Sequence, residues 1–121
     1  LPNDAVAYRP HAPRAYAYLS DTNRSAKAAA LCAGVDLMYH EATYAAAESR
    51  LARERGHSTT HDAAKAALAA GAGRLLIGHF SSRYKDAEAL AAEARTLFPA
   101  TAPACEGETY RIEPRMNVRK R

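Results

Sequence analysis

One stretch of the sequence places an imidazole, a hydroxyl and a guanidinium group directly after a strand-like run. The apolar run 75–77 is followed by Gly78 and His79, and then by Ser81 and Arg83. An apolar run that ends in a glycine and a polar cluster indicates a buried strand whose end lies at a functional edge. We therefore expect the end of this strand to carry chemistry.

Two upstream segments have the same form, with acidic or imidazole groups after a strand-like run. Asp21 follows the aromatic run 15–19, and His40 and Glu41 follow the run 35–39. An aspartate and a histidine at neighbouring strand ends suit a divalent metal, because carboxylate oxygen and neutral imidazole nitrogen are good ligands for zinc or manganese. Two ligands do not complete a site, however, and the sequence contains no His-x-His-x-Asp-His cluster that would supply the others.

Each of these residues also has a purely structural interpretation. Asp21 could simply be a helix cap with no other role. His40 is more often a hydrogen-bonded structural histidine than a ligand, and Glu41 could be solvated. His57 could stand beside a helix cap without a role of its own. His79 has the weakest structural alternative, because a histidine after a glycine at the end of a buried strand is an unusual choice for packing alone.

The elements that must position these residues alternate between strands and helices. We predict, in order, strand 15–19, helix 24–33, strand 35–39, helix 45–55, a helix running to about 70, strand 74–78, helix 86–98 and a weak hairpin over 104–112. Ser58 or Thr59 is expected to cap the third helix, with His61 facing solvent from its first turn. Such alternation predicts an α/β layer of mainly parallel strands joined by right-handed crossovers.

In sheets of this kind ligands collect beyond the carboxyl ends of the strands. Asp21, His40 with Glu41, and His79 are therefore expected along one edge of the sheet. His57 precedes a helix that returns to the same sheet, so it can reach the same edge.

The composition indicates one small domain. Of the 121 residues 48% are hydrophobic, but much of this fraction is alanine, which favours helix and adds little buried area. Seventeen basic and thirteen acidic residues give a net charge of +4, and basic residues crowd the end of the chain. We interpret residues 113–121 as a solvated basic tail and residues 1–14, with their prolines, as an extended lead-in.

The cysteines and the hydropathy favour an intracellular, soluble protein. Cys32 and Cys105 have no Cys-x-x-Cys spacing and are expected to be small buried side chains in a reducing compartment. No apolar run approaches a membrane span, and the first residues have no signal-peptide pattern. The chain opens without methionine in a linker-like stretch, and we expect it to be a piece of a longer protein.

Four motifs, in this order, resemble the C-terminal half of ribonuclease Z, the tRNA 3′-processing endonuclease of the metallo-β-lactamase superfamily. They are Ser20-Asp21-Thr22, His40-Glu41-Ala42-Thr43, His57-Ser58-Thr59 and His79-Phe80-Ser81-Ser82-Arg83-Tyr84. The resemblance covers roughly residues 15–112. It implies an α/β fold that forms the C-terminal half of a metallo-β-lactamase αββα sandwich.

The resemblance also implies roles for individual residues. Asp21 would bridge two zinc ions, and His79 would bind one of them. Glu41 and His57 would assist proton transfer to the leaving oxygen. The reaction implied is attack of a metal-activated water on a phosphodiester of precursor tRNA, which removes the 3′ trailer.

The substrate contacts and partners follow from the same resemblance. Ser81 and Arg83 would contact substrate phosphate. The partners would be precursor tRNA and the N-terminal half of the same protein, in a cytoplasmic homodimer with no membrane association. Because the family's other metal ligands would precede Leu1, we expect this chain alone to bind zinc weakly and to lack nuclease activity.

Two alternatives remain open. One is another hydrolase of the same superfamily, acting on a small ester or phosphodiester. The other is a non-catalytic α/β module in which the aspartate and the histidines only cap and pack.

Overall fold

The fold is an α/β layer built on a parallel sheet. The computed structural model describes residues 13–20 and 25–113. Its four strands are all parallel and lie side by side in chain order: β1 (Tyr16–Leu19), β2 (Leu37–Glu41), β3 (Arg74–Gly78) and β4 (Thr101–Pro103). The predicted α/β layer with parallel strands is confirmed.

The connections between the strands are helical. They contain α1 (Ala26–Leu31), a short 3-10 helix (Ala46–Glu48), α2 (Ser49–Arg55), α3 (Thr60–Ala70) and α4 (Ala87–Arg95). Thr59, not Ser58, caps α3, where its side chain and that of Asp62 bond each other's backbone N–H groups in a capping box. The segment predicted as one helix over 45–55 is a 3-10 turn followed by α2.

The core lies between the sheet and the helices. Helix α3 packs between α1 and α4 and against β2 and β3. Its buried face consists largely of alanine, which lets the helix approach the sheet closely, and Met38, Leu75 and Ile77 fill the space on the sheet side. Strands that follow one another in order through right-handed crossovers place their helices on one face of the sheet.

The opposite face of the sheet is only partly covered. Tyr16 and Tyr18 are exposed there, and Tyr18 stacks on Tyr39 with 4.6 Å between ring centroids. The last described residues contribute Tyr110 and Ile112 to a 260 Å³ groove on this side. This face therefore carries an aromatic stripe that the described part of the chain covers only in part.

The predicted C-terminal hairpin is wrong. Residues 104–113 form no strand, and the preceding segment instead forms β4, parallel to β3. The reason lies in the backbone pairing, since Leu75 N–H donates to Ala100 and Ala104 N–H donates to Ile77. Within the predicted hairpin, Cys105 N–H donates to Tyr110 Oη at 2.7 Å and Glu108 N–H donates to Cys105 O, so these groups close a turn and form no ladder.

Two expectations drawn from composition have mixed outcomes. Both cysteines are free, as predicted, but Cys32 is only partly buried and Cys105 is exposed, so the prediction that both are buried is wrong. Over residues 13–20 and 25–113, none of the helices has the length and apolar character needed to cross a bilayer.

Candidate active site

The site forms where the carboxyl ends of β2 and β3 meet. Glu41, the last residue of β2, is paired in register with Gly78, the last residue of β3. The pairing continues past the strands, because Ala42 N–H donates to Gly78 O at 2.8 Å and Ser81 N–H donates to Thr43 O at 2.9 Å. The two polar motifs are thereby held side by side.

The turn that leaves β3 has an unusual backbone. A Cβ at Gly78 would lie 2.9 Å from Cε2 of Tyr39, so a larger residue would collide with this ring. His79 follows with φ = 62°, in the left-handed region that non-glycine residues rarely adopt. Such a residue typically costs about 1–3 kcal/mol and persists where its surroundings hold it, often at a functional site.

Glu41 is the hub of the site. Its side chain is fully buried, and its two oxygens accept hydrogen bonds from different groups. Oε1 lies 2.7 Å from Nδ1 of His57, while Oε2 accepts from Ser58 N–H at 2.6 Å and from Thr43 Oγ1 at 3.0 Å. Burying a carboxylate is expensive unless donors replace its water, and these donors do so.

The two histidines stand side by side above this carboxylate. The ring centroids of His57 and His79 are 5.5 Å apart. Thr43 Oγ1 lies 3.0 Å from Nδ1 of His79 and 3.4 Å from Nδ1 of His57. The exposed fraction of the side chain rises from zero at Glu41 through 19% at His57 to 46% at His79. The group therefore runs from the interior to an open edge.

Local structure fixes the position of His57. Gly56 ends α2 in a left-handed conformation, and His57 N–H donates to Ala52 O at 2.8 Å. Thr60 N–H then donates to Tyr44 O at 3.0 Å, which ties the start of α3 to the segment that follows β2. The ring of His57 contacts Glu41, so it faces the sheet edge as expected, and its role there stays a prediction.

Arg83 and Ser81 lie beside the three central side chains. The Arg83 guanidinium lies 5.5 Å from the centroid of the Tyr44 ring and 3.7 Å from Glu48, and it is 45% exposed. Tyr44 in turn lies edge-on to His57, 6.2 Å away. Ser81 Oγ accepts from the Arg83 backbone N–H at 3.3 Å. A cation thus stands at the open side of the site.

The sequence predictions for the site meet different outcomes. Glu41, His57 and His79 come together as expected, and the solvated alternative for Glu41 is wrong. His40 is fully buried, with Nδ1 bonded to the Glu41 carbonyl oxygen at 2.8 Å, as a structural histidine would be. Asp21 lies outside the described residues, so its predicted place in the site stays a prediction.

Sequence reasoning gave no role to Thr43 or to the backbone of Ser58. Both donate to Glu41, and both are buried. The spacing of Glu41 and Thr43 held a usable signal, since residues two apart along an extended chain point to the same side. The sequence held no such signal for the Ser58 contact, because every residue except proline has a backbone N–H and the residue type does not show which one donates.

The donor set of the site suits a metal ion. One ligand atom from each of Glu41, His57 and His79 lies within 4.8 Å of the others. Carboxylate oxygen and imidazole nitrogen are ligands that zinc accepts. The Nδ1 atoms of both rings are already engaged with Glu41 or Thr43, so coordination that keeps these hydrogen bonds would use Nε2.

Comparison with known proteins identifies relatives of this chain, although no protein-family model matches it. It is 45% identical over 106 residues to a protein named ribonuclease Z from Porphyromonas gingivalis W83, covering 88% of this chain and 35% of that protein. It is 46% identical over 99 residues to ribonuclease Z from Salinibacter ruber, covering 82% and 31%. The chain therefore spans about a third of the length of these relatives.

Solved structures give the same picture for the fold. The metallo-β-lactamase fold protein YhfI from Bacillus subtilis aligns with a TM-score of 0.65 and 26% identity, over 71% of this chain and 35% of that one. Human tRNase Z, short form, aligns with a TM-score of 0.56 and 32% identity, over 71% and 28%. The resemblance to ribonuclease Z is thus confirmed, and the fold is that of part of a metallo-β-lactamase domain.

Proposed function

We propose that the protein containing this chain is a metal-dependent endoribonuclease that removes the 3′ trailer from precursor tRNA. The observation that carries the proposal is the 2.7 Å contact between His57 and the buried carboxylate of Glu41, at the same sheet edge as His79. A histidine held by a buried carboxylate beside a metal-ligand donor is suited to acid–base chemistry. The similarity to proteins named ribonuclease Z supports the substrate.

In this proposal Glu41 and His57 act as a pair. Glu41 accepts from Nδ1 of His57, which orients the ring. Protonated His57 then gives the proton on Nε2 to the departing 3′ oxygen of the tRNA. A group in this role typically contributes about 10²- to 10⁴-fold to the rate.

His79 and Asp21 are proposed to hold zinc, with two ions in the intact enzyme. His79 fits this role because its Nδ1 is bonded to Thr43 and its ring is half-exposed, so Nε2 is available to an ion. Bound zinc would supply Lewis acidity and a water that ionises near neutral pH. The further ligands are proposed to come from the rest of the protein.

Ser81 and Arg83 are proposed to contact the substrate phosphate. Arg83 is charged and half-exposed, and its backbone is tied to Ser81. An arginine fork matches phosphate geometry and attracts a polyanion at long range.

The partners are proposed from the same relationship: precursor tRNA, the remaining part of the same protein, and a second copy in a cytoplasmic homodimer. The partly uncovered sheet face supports an intramolecular partner, since aromatic side chains are exposed there. We expect the 121-residue chain by itself to cleave no precursor tRNA.

The proposal is tested with the full-length protein and a precursor tRNA carrying a 3′ trailer. His57→Asn should slow cleavage by about 10²- to 10⁴-fold while leaving zinc content unchanged. His61→Asn is the matched control, because His61 lies four residues away on α3 and should leave the rate unchanged. Absence of any cleavage by the zinc-loaded wild-type protein would refute the proposal.

A second candidate is a hydrolase of small phosphodiesters. The alignment with YhfI, which is named only as a metallo-β-lactamase fold protein, shows that the fold by itself does not select tRNA as the substrate. Bis(p-nitrophenyl) phosphate separates the two: equal efficiency on this ester and on precursor tRNA would favour the second candidate. If the full-length protein binds no zinc, both fail and a non-catalytic module remains.

A further inference from the structure

We infer that Thr43 is a positioning residue that fixes the tautomer of His79. Its hydroxyl donates a hydrogen bond to the buried Glu41 carboxylate and accepts one from the His79 ring. This holds the proton of that ring on Nδ1. The catalytic meaning of this inference rests on the proposed function. The tautomer itself depends only on the hydrogen bonds among these side chains.

The first step concerns the single proton of the Thr43 hydroxyl. Thr43 Oγ1 lies 3.0 Å from Oε2 of Glu41 and 3.0 Å from Nδ1 of His79, so two neighbours could accept that proton. An ionised carboxylate can only accept hydrogen bonds, whereas an imidazole nitrogen can donate or accept. Glu41 can therefore only accept a hydrogen bond from Thr43, whereas His79 can either accept one from it or donate one to it.

The second step decides between these acceptors by strength. Hydrogen bonds to an ionised group are about twice as strong as those between neutral groups. Glu41 is fully buried, and leaving part of a buried carboxylate without donors carries a large desolvation penalty. The Thr43 proton is therefore donated to Glu41.

The third step follows for His79. Once its proton is committed to Glu41, the Thr43 oxygen can only accept from His79 at 3.0 Å. Nδ1 of His79 must then carry the ring proton, and Nε2 keeps its lone pair. The same reasoning holds for His57, whose Nδ1 faces Oε1 of the same carboxylate at 2.7 Å.

The arrangement therefore presets both rings in one tautomer. Neutral His79 keeps an unprotonated Nε2, which is the form a metal ligand needs, and neutral His57 keeps an Nε2 lone pair that takes up the proton for the departing oxygen. Partners that orient a ligating histidine through its other nitrogen typically change metal affinity by about 10- to 100-fold when they are removed. Here that partner is the hydroxyl of Thr43. Glu41 lies 4.0 Å from Nδ1 of His79, too far for a hydrogen bond, so the carboxylate acts on His79 through this hydroxyl.

The test uses full-length, metal-free protein labelled with ¹⁵N in the histidine rings, at about pH 8.5, where an unperturbed imidazole is neutral. Long-range proton–nitrogen spectra distinguish the two tautomers, and His79→Asn identifies the His79 signal by its loss. Wild type and Thr43→Ser should both show His79 protonated at Nδ1. Thr43→Val, which removes the hydroxyl and keeps the shape, should show a mixture with the Nε2-protonated form.

Zinc affinity, measured by chelator competition, gives a second readout. Thr43→Val should weaken it by about 10- to 100-fold, while Thr43→Ser should stay within about threefold of wild type. Nε2 protonation of His79 in the wild type would overturn the inference even if Thr43→Val does not fold. An unchanged tautomer and affinity in a folded Thr43→Val protein would also overturn it. Failure of the wild type to cleave precursor tRNA would refute the proposed function and leave the tautomer result standing.

Discussion

Glu41 shows how one buried residue can organise a site on an exposed edge. Its carboxylate is fully buried, and donors from Thr43 and from the segment 57–58 converge on it. Its 2.7 Å contact with Nδ1 of His57 helps to define the orientation of that ring. The burial of Glu41 is therefore the physical reason why two loops from different parts of the chain meet in one geometry.

The contribution of this anchor to stability can be measured. Glu41→Gln keeps the shape but removes the negative charge and replaces one acceptor oxygen by an amide NH₂, which weakens the hydrogen bonds that His57, Ser58 and Thr43 make to the carboxylate. We expect the free energy of unfolding from urea titration of the chain to fall by about 1–3 kcal/mol. Glu48→Gln, at a carboxylate that is 44% exposed, should change it by less than about 0.5 kcal/mol. Equal effects of the two substitutions would contradict the account.

At this scale the sequence predicted residue types better than contacts. Glu41 and His79 were identifiable because they follow strand-like runs and match known motifs, and His57 was identifiable from its motif alone. Thr43 was visible in a motif, but its role depends on 3.0 Å contacts to residues at positions 41 and 79. Such contacts are set by the register of β2 against β3, which the local pattern does not encode.

Elements position the site through the parallel pairing of β2 and β3. The alternation of strands and helices was sufficient to predict this pairing, because right-handed crossovers leave few other arrangements. The C-terminal segment was mispredicted. The short run that contains Pro103 forms an edge strand, where proline is tolerated, whereas the hairpin pattern lies in the residues that follow it. Long periodic segments were therefore easier to predict than the final residues.

Tyr39, on the partly covered face of the sheet, predicts a pH dependence of stability. Burial, together with the neighbouring Tyr18 and Tyr16 and with Glu41, raises the pKa of Tyr39 to about 12. In the unfolded chain the pKa of the phenol is near the usual value of about 10. Between about pH 10 and pH 12 the unfolded state therefore binds fewer protons than the folded state. Stability contributed by neutral Tyr39 is therefore complete below about pH 10 and is lost as the pH rises toward 12.

Urea midpoints of the chain between pH 9 and pH 12 check this expectation. The wild-type midpoint should fall with rising pH, and Tyr39→Phe should fall less steeply. Part of the dependence should remain in the variant, because burial and Tyr18 also raise the pKa of Tyr16. Identical slopes for the two proteins would contradict the assignment to Tyr39.

At the scale of the whole molecule, charge determines how a polyanion is attracted. The chain carries a net charge of +4, and Arg83 places one cation beside the site. The full-length protein with Arg83→Gln should bind precursor tRNA with a log–log salt slope reduced by about one unit, because one phosphate contact is lost. Lys65→Gln, at an exposed position on α3, should leave the slope unchanged. An unaltered slope in Arg83→Gln would remove Arg83 from the phosphate contacts.

The complete site depends on segments outside this chain. The chain spans about a third of its relatives, so the walls of the site that other segments would supply cannot be derived from these residues. Motif resemblance was sufficient to identify the relatives. It does not give the metal-ligand geometry, because a motif specifies residue types and their order and contains no distances.

The central claim, that His57 protonates the departing 3′ oxygen, is tested most directly by changing the leaving atom. A precursor tRNA with sulfur in place of the 3′ bridging oxygen at the cleavage site releases a thiolate, which needs no proton. On the oxygen substrate, full-length His57→Asn should be slower than wild type by about 10²- to 10⁴-fold, and on the sulfur substrate by less than about tenfold. An equal loss on both substrates would contradict the role assigned to His57.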